Sequence, residues 1–192
     1  MAANLEVLVR RDGPLDYERA VRYVVDVARQ LAACYPPCPE HADVRPGNIV
    51  ISESGSARLV TLRNRVTPFF SGSESRCLTE AGEPAALEFA DYLPPERALN
   101  GKRIDGRADV YSLGCLLYFM LTGRPPFAEG SISARLLAHQ SRKPEPIGKM
   151  RPDVPAGLVA VCEKMLEKRP GDRFATVADL ISAVSEWGEF DQ

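Results

Sequence analysis

The chain has 192 residues, 45% hydrophobic and 26% charged, which is enough apolar material for one sizeable buried core and excludes a disordered or fibrous protein. Lys and Arg number 24 against 26 Asp and Glu, a net charge of -2, so no global field draws the molecule to nucleic acid or to an anionic membrane. The longest apolar run, Val110 to Leu121, is interrupted by Ser112 and Gly114 and is too short to span a bilayer, so function has to come from a site on a water-exposed fold.

The opening residues MAANLEVLVRRDG lack a basic start followed by an apolar stretch and a cleavage site, and the five cysteines are odd in number and scattered. A cytoplasmic protein is expected. From Asp16 to Tyr35 the apolar positions Val21, Val24, Val25, Ala28, Leu31 and Ala32 recur at helical spacing, with Asp16 placed to cap the first turn. Tyr35-Pro36-Pro37 breaks that helix. Ile49-Val50-Ile51 and Ala57-Arg58-Leu59-Val60, separated by Ser54-Gly55, read as a small β-hairpin. Residues 64 to 88, rich in Ser, Gly and Pro and without periodicity, read as a long mobile loop. Beyond it the chain is helical. Asp109 to Leu121 is apolar nearly all round, Ser131 to Gln140 forms a helix with His139 facing solvent, and Leu158, Val161, Cys162, Met165 and Leu166 make a stripe. Val177, Leu180, Ile181, Val184 and Trp187 make another, opened by Thr176 with Asp179 three residues on.

Between the first helix and the hairpin lies His41-Ala42-Asp43-Val44-Arg45-Pro46-Gly47-Asn48, which resembles the catalytic loop H-R-D-L-x-x-x-N of protein kinases in the context where that loop is found. Four further segments follow in the family's order. Tyr92-Leu93-Pro94-Pro95-Glu96 resembles the A-P-E close of the activation segment, and Asp105 to Gly114 resembles the start of the central buried helix. Leu121-Thr122-Gly123-Arg124-Pro125-Pro126-Phe127 and Pro170-Gly171-Asp172-Arg173-Phe174 resemble later Ser/Thr-kinase motifs. The resemblance implies a mainly α fold over residues 1–192, the helical C-terminal lobe of a kinase with a small β-hairpin and no N-terminal lobe. Residues 41–48 would be its catalytic loop and 61–96 its activation segment. It also implies that Asp43 takes the place of the residue accepting the substrate hydroxyl proton, Asn48 that of a magnesium ligand, and Arg45 that of a cation near the transferred phosphate. His41, Glu96, Asp109 and Arg173 would be structural, with Glu96 and Arg173 forming a buried ion pair and Asp109 receiving backbone N–H groups of the catalytic loop.

The same comparison exposes losses. The D-F-G position reads Thr61-Leu62-Arg63, and no Asp occurs between Asp43 and Asp91. A neutral Thr is a poor magnesium anchor, and Arg63 repels the cation. The first Lys is Lys102, and Gly13 is the only glycine before His41, so neither a strand Lys nor a Gly-rich loop precedes the catalytic loop. Ala42 replaces the loop Arg that would pair with a phosphate on Ser71, Ser73, Ser75 or Thr79. The hydroxyl residue of the family's substrate-docking loop falls on Phe89, which cannot bridge Asp43 and Arg45 by hydrogen bonds. Each lost stabiliser of developing charge costs about 10²- to 10³-fold in rate, and no useful turnover is expected.

The expected function is therefore a pseudokinase: a protein-binding or regulatory scaffold, with no cofactor, whose partner or second copy covers the face left by the absent lobe. The alternative is the C-lobe portion of an active Ser/Thr kinase using ATP and magnesium, its other lobe lying outside this chain. Cys34, Cys38 and His41 lack a second ligand pair and read as thiols and a loop histidine, so no metal site is expected. Arg10-Arg11 and Lys102-Arg103 with Arg107 read as solvated charge clusters.

Overall fold

The computed structural model describes residues 3–33, 43–60, 83–98 and 105–188. Its elements in chain order are β1 (Ala3–Asn4), α1 (Leu5–Asp12), α2 (Tyr17–Ala33), β2 (Ile49–Ile51), β3 (Ala57–Leu59), α3 (Glu83–Ala90), α4 (Pro95–Ala98), α5 (Gly106–Thr122), α6 (Ile132–Ser141), α7 (Ile147–Met150), α8 (Ala156–Met165) and α9 (Val177–Val184). The fold is mainly helical, with one small antiparallel sheet, as expected for a kinase C-lobe.

The core is built around α5. Every residue from Ala108 to Leu121 is buried, because α2, α7, α8 and α9 all pack on this one helix. That surround explains its lack of a polar face. Asp105 caps its start through the N–H of Arg107. The neighbours are held close: a Cβ at Gly114 would lie 2.8 Å from the Met165 Cβ and 3.2 Å from Leu166 Cδ2, so the absence of a side chain sets the distance between α5 and α8.

The first long helix begins where Asp16 accepts from the Arg19 N–H at 2.7 Å, and it buries Val21, Val24, Val25, Ala28 and Leu31. On α9, Thr176 and Asp179 form a reciprocal capping box. The hairpin pairs Ile49 with Leu59 and Ile51 with Ala57, and Ala3–Asn4 adds a third strand to the other edge of β2. Along the outer edge of β3, side chains of α2 replace a strand. Asp26 accepts from the Ala57 N–H at 2.8 Å, while Gln30 accepts from the Leu59 N–H at 3.0 Å and donates to the Ala57 carbonyl at 2.9 Å.

Two expectations are corrected. The long loop does not extend to residue 88, since α3 occupies residues 83–90; Ala85-Ala86-Leu87-Glu88 is a run of strong helix formers after Pro84, a residue tolerated in a first turn. His139 is not at the surface. It is fully buried on α6 beneath Phe127 and against Tyr111.

Gly114→Ala is expected to lower stability by about 1–3 kcal/mol, through overpacking against Met165 and Leu166. Urea unfolding monitored through Trp187 measures the change.

Candidate functional site

The loop joining α2 to β2 is the centre of the site. Pro46–Asn48 forms one tight helical turn, and the Asn48 side-chain amide donates to the Asp43 carbonyl at 2.9 Å, closing the loop on itself. From the other side Asn4, which also caps α1, donates to the Gly47 carbonyl at 2.6 Å. The structure thus brings Asp43, Arg45 and Asn48 together.

Their charges are already engaged with one another. Arg45 Nε lies 2.9 Å from Asp43 Oδ2, and Arg45 Nη1 donates to Glu88 Oε2 at 2.9 Å. The other Glu88 oxygen accepts from the Gly47 N–H at 3.2 Å. A methyl group at Gly47 would come within 2.5 Å of that oxygen, so the carboxylate sits flush against the loop backbone. Burial raises the Glu88 pKa, opposed by the positive charge of Arg45 and by the Gly47 N–H. Beside Asp43, a hollow bounded by Phe89, Tyr92, Leu93 and Ser112 has a volume of about 10 Å³, room for no more than a water molecule.

Glu88 is the residue that sequence reasoning missed. Phe89 falls at the family's hydroxyl position, and its neighbour one place earlier reaches the loop instead. An acidic residue next to that position is the only signal the sequence offers.

The structural charges lie beneath this loop. Glu96 on α4 and Arg173 after α8 form a two-pronged ion pair, Nη1 to Oε1 at 2.7 Å and Nη2 to Oε2 at 2.9 Å. Arg173 also donates to the carbonyls of Glu167, Arg107 and Lys168 at 2.7, 2.8 and 3.0 Å. All five of its N–H groups are thereby used. Asp109 is buried with Arg97, 3.7 Å from its Nη2. His41 and Ala42 lie outside the described residues, as do Cys34, Cys38, Thr61, Leu62, Arg63 and the Ser and Thr positions 71–79.

A second charged group ties the site to α6. Asp91 is buried, and both its oxygens lie 2.7 Å from Arg135 Nη1; burial nonetheless raises its pKa to about 6. Deeper in, Tyr111 and His139 share a 2.9 Å hydrogen bond. Burial lowers the His139 pKa to about 3, the positive charge of Lys168 adds to this, and the Asp91 backbone partly opposes it. Burial also pushes the Cys115 and Cys162 thiols well up, so neither supplies a thiolate. Among the described residues, no three His, Cys, Asp or Glu side chains gather as a metal site would require.

A family model described as protein kinase domain matches residues 1–183. The chain belongs to the protein kinase family. Among curated members it is 34% identical to the serine/threonine-protein kinase PknB of Mycolicibacterium smegmatis over 182 residues, covering 92% of this chain and 27% of that protein. It is 33% identical to the probable serine/threonine-protein kinase CE0033 of Corynebacterium efficiens, covering 92% and 26%, and 33% identical to the serine/threonine-protein kinase PknH of Mycobacterium bovis, covering 95% and 29%. The chain spans little more than a quarter of the length of these kinases. Within the described residues, no helix is long and apolar enough to cross a membrane.

Two outcomes follow from the buried charges. Arg173→Met strands the Glu96 carboxylate and three backbone carbonyls, and is expected to cost about 3–5 kcal/mol in urea unfolding. His139 is held neutral in the folded state but binds a proton when unfolded below pH 6.5, so it removes stability as the pH falls from 6.5 toward 3. Asp91 acts in the opposite sense between about 4 and 6, because its folded form holds the proton more tightly, but its displacement is the smaller. His139→Gln should therefore flatten the loss of stability between pH 6.5 and 4; an unchanged slope would refute this assignment.

Proposed function

We propose that this kinase-family chain is a pseudokinase, a C-lobe-like scaffold over residues 1–192 that binds protein partners and does not transfer phosphate. The observation that carries the reading is the closed set of charges at the loop. Arg45, the cation in the place nearest a transferred phosphate, is held between Asp43 and Glu88. Phosphoryl transfer rests on free cations and metal-bound carboxylates arranged around a triphosphate. Here the residues do not fit magnesium-ATP: the loop carboxylates are engaged by Arg45 and Gly47, and Thr61-Leu62-Arg63 stands where an Asp would hold the metal. On this reading Asp43, Arg45 and Asn48 are relics that shape the loop, while His41, Glu96, Asp109 and Arg173 keep the lobe folded.

The partner face is assigned to the side that an N-terminal lobe would cover in an active kinase, where a protein partner or second copy would sit. Val7 on α1 and Val60 after β3 are exposed, 58% and 42% accessible, and offer apolar surface to such a partner. Free buried thiols at Cys115 and Cys162 are compatible with the reducing cytoplasm. The competing reading, the C-lobe portion of an active Ser/Thr kinase, draws on the activity named for the relatives.

The two readings separate on nucleotide binding. Melting temperature is measured with saturating ATP, with and without Mg²⁺. A ligand at 100 times its dissociation constant adds about 2.7 kcal/mol, or about 5–10 °C for a domain of this size. No rise is expected in either condition. A Mg²⁺-dependent rise, joined by labelled phosphate transfer that Asp43→Asn abolishes, would overturn the scaffold reading.

A further inference from the structure

The helix α3 lies against the loop, yet little apolar surface holds it there. From Ala86 onward its buried side chains are those of Ala86 and Ala90, each 1% exposed, while Leu87, Glu88 and Phe89 are half-buried. The central helix α5, by contrast, buries every residue from Ala108 to Leu121. Two alanine methyl groups are a small anchor.

What ties α3 to the loop is a carboxylate. Glu88 Oε2 accepts from Arg45 Nη1 at 2.9 Å, and Oε1 accepts from the Gly47 N–H at 3.2 Å. The turn that follows α3 is fastened independently of the loop. Both Asp91 oxygens lie 2.7 Å from Arg135 Nη1 on α6, the Tyr92 carbonyl accepts from Ser112 Oγ at 3.0 Å, and the Tyr92 ring meets Phe119 edge-on at 6.3 Å between centres. A firm turn adjoins a lightly packed helix whose far contact is one ion pair.

That contact can break without stranding a charge. Arg45 Nε also faces Asp43 Oδ2 at 2.9 Å, so the guanidinium keeps a counter-charge when Glu88 leaves. The Glu88 side chain is 24% exposed and passes directly into water, and the negative charge of Glu6 on α1 favours its release. In the closed arrangement Phe89 helps to wall the hollow of about 10 Å³ beside Asp43, so α3 leaves no space there for a ligand group.

We propose that α3 is a lid over the loop, latched by Glu88 to Arg45 and Gly47 and hinged at Asp91 to Leu93, which opens as a unit while the rest of the lobe stays folded. Opening uncovers Asp43, the Arg45 guanidinium and the Gly47 N–H together, so the lid sets which loop surface a protein partner meets. That consequence rests on the protein-binding function proposed for this lobe; the motion does not. A helix of eight residues without tertiary support does not persist in water, so the open lid melts and its amides exchange with solvent.

The test is hydrogen exchange of the intact chain read by mass spectrometry, alongside limited labelling of its arginines with phenylglyoxal. In the wild-type protein the amides of Leu87 to Asp91 are expected to exchange at least about 100-fold faster than those of Val110 to Leu121. Glu88→Gln keeps the shape of the latch but removes its charge; it should raise exchange in α3 about tenfold further, leave α5 unchanged, and speed labelling of Arg45 at least about threefold while Arg173 stays protected. Exchange of wild-type α3 at the rate of α5 would overturn the proposal, as would an equal rise in both helices of the variant or an unaltered Arg45 rate. None of these readouts involves nucleotide, so a melting response to Mg²⁺-ATP would remove the scaffold reading and leave the lid standing.

Discussion

The lobe depends on one fully buried guanidinium. Arg173 has no exposed side-chain surface, and a charge so placed is tolerable only when its counter-charge and every donor are satisfied. Glu96 supplies the counter-charge, and backbone carbonyls of Glu167, Lys168 and Arg107 supply the rest. Those partners come from α4, from the turn after α8 and from the first turn of α5. A single side chain therefore fixes three segments that share no secondary structure. The Tyr111 ring, 4.7 Å from the guanidinium carbon, shields it from the other side and carries the hydroxyl that joins His139 and Lys168.

The loop above uses the opposite economy of charge. Arg45, Asp43 and Glu88 are each about a fifth to a third exposed, and they neutralise one another at the rim. In the family the position facing this loop offers a hydroxyl, which can share a proton with an acceptor; a carboxylate in nearly the same place instead adds fixed negative charge. Glu88, one place before Phe89, joins Asp43 and Arg45 in a closed ionic knot. The knot ties the loop to the rest of the lobe through Glu88, and Asn4 holds it from the other side.

Most of the fold could be read from residue order because its determinants are local. The capping pairs at Asp16 and Thr176, the alternation in the hairpin and the largely apolar run of α5 each lie within one element. So do the motifs that resemble those of kinases. Glu88 was not legible: its partners lie more than 40 positions away, and only the angle at which α3 meets the loop brings the carboxylate to Arg45 rather than to water. His139 was misplaced for a related reason. The polar residues of α6 give little indication of which face is inward, and the aromatic rings that cover His139 come from α5 and from the turn at Phe127. The D-F-G position was legible as chemistry in Thr61-Leu62-Arg63, although those residues lie outside the described part of the chain.

The way α2 seals the outer strand has a consequence for assembly. Asp26 and Gln30 occupy the backbone groups of Ala57 and Leu59 that would otherwise recruit another extended segment. Among the described residues, the little sheet is thus polarised, blunt on the margin that α2 seals and ending at Ala3–Asn4 on the other. Among the described residues, an associate that docks by lending a strand meets the margin at Ala3–Asn4, which adjoins α1, whose start is capped by the same Asn4 that holds Gly47.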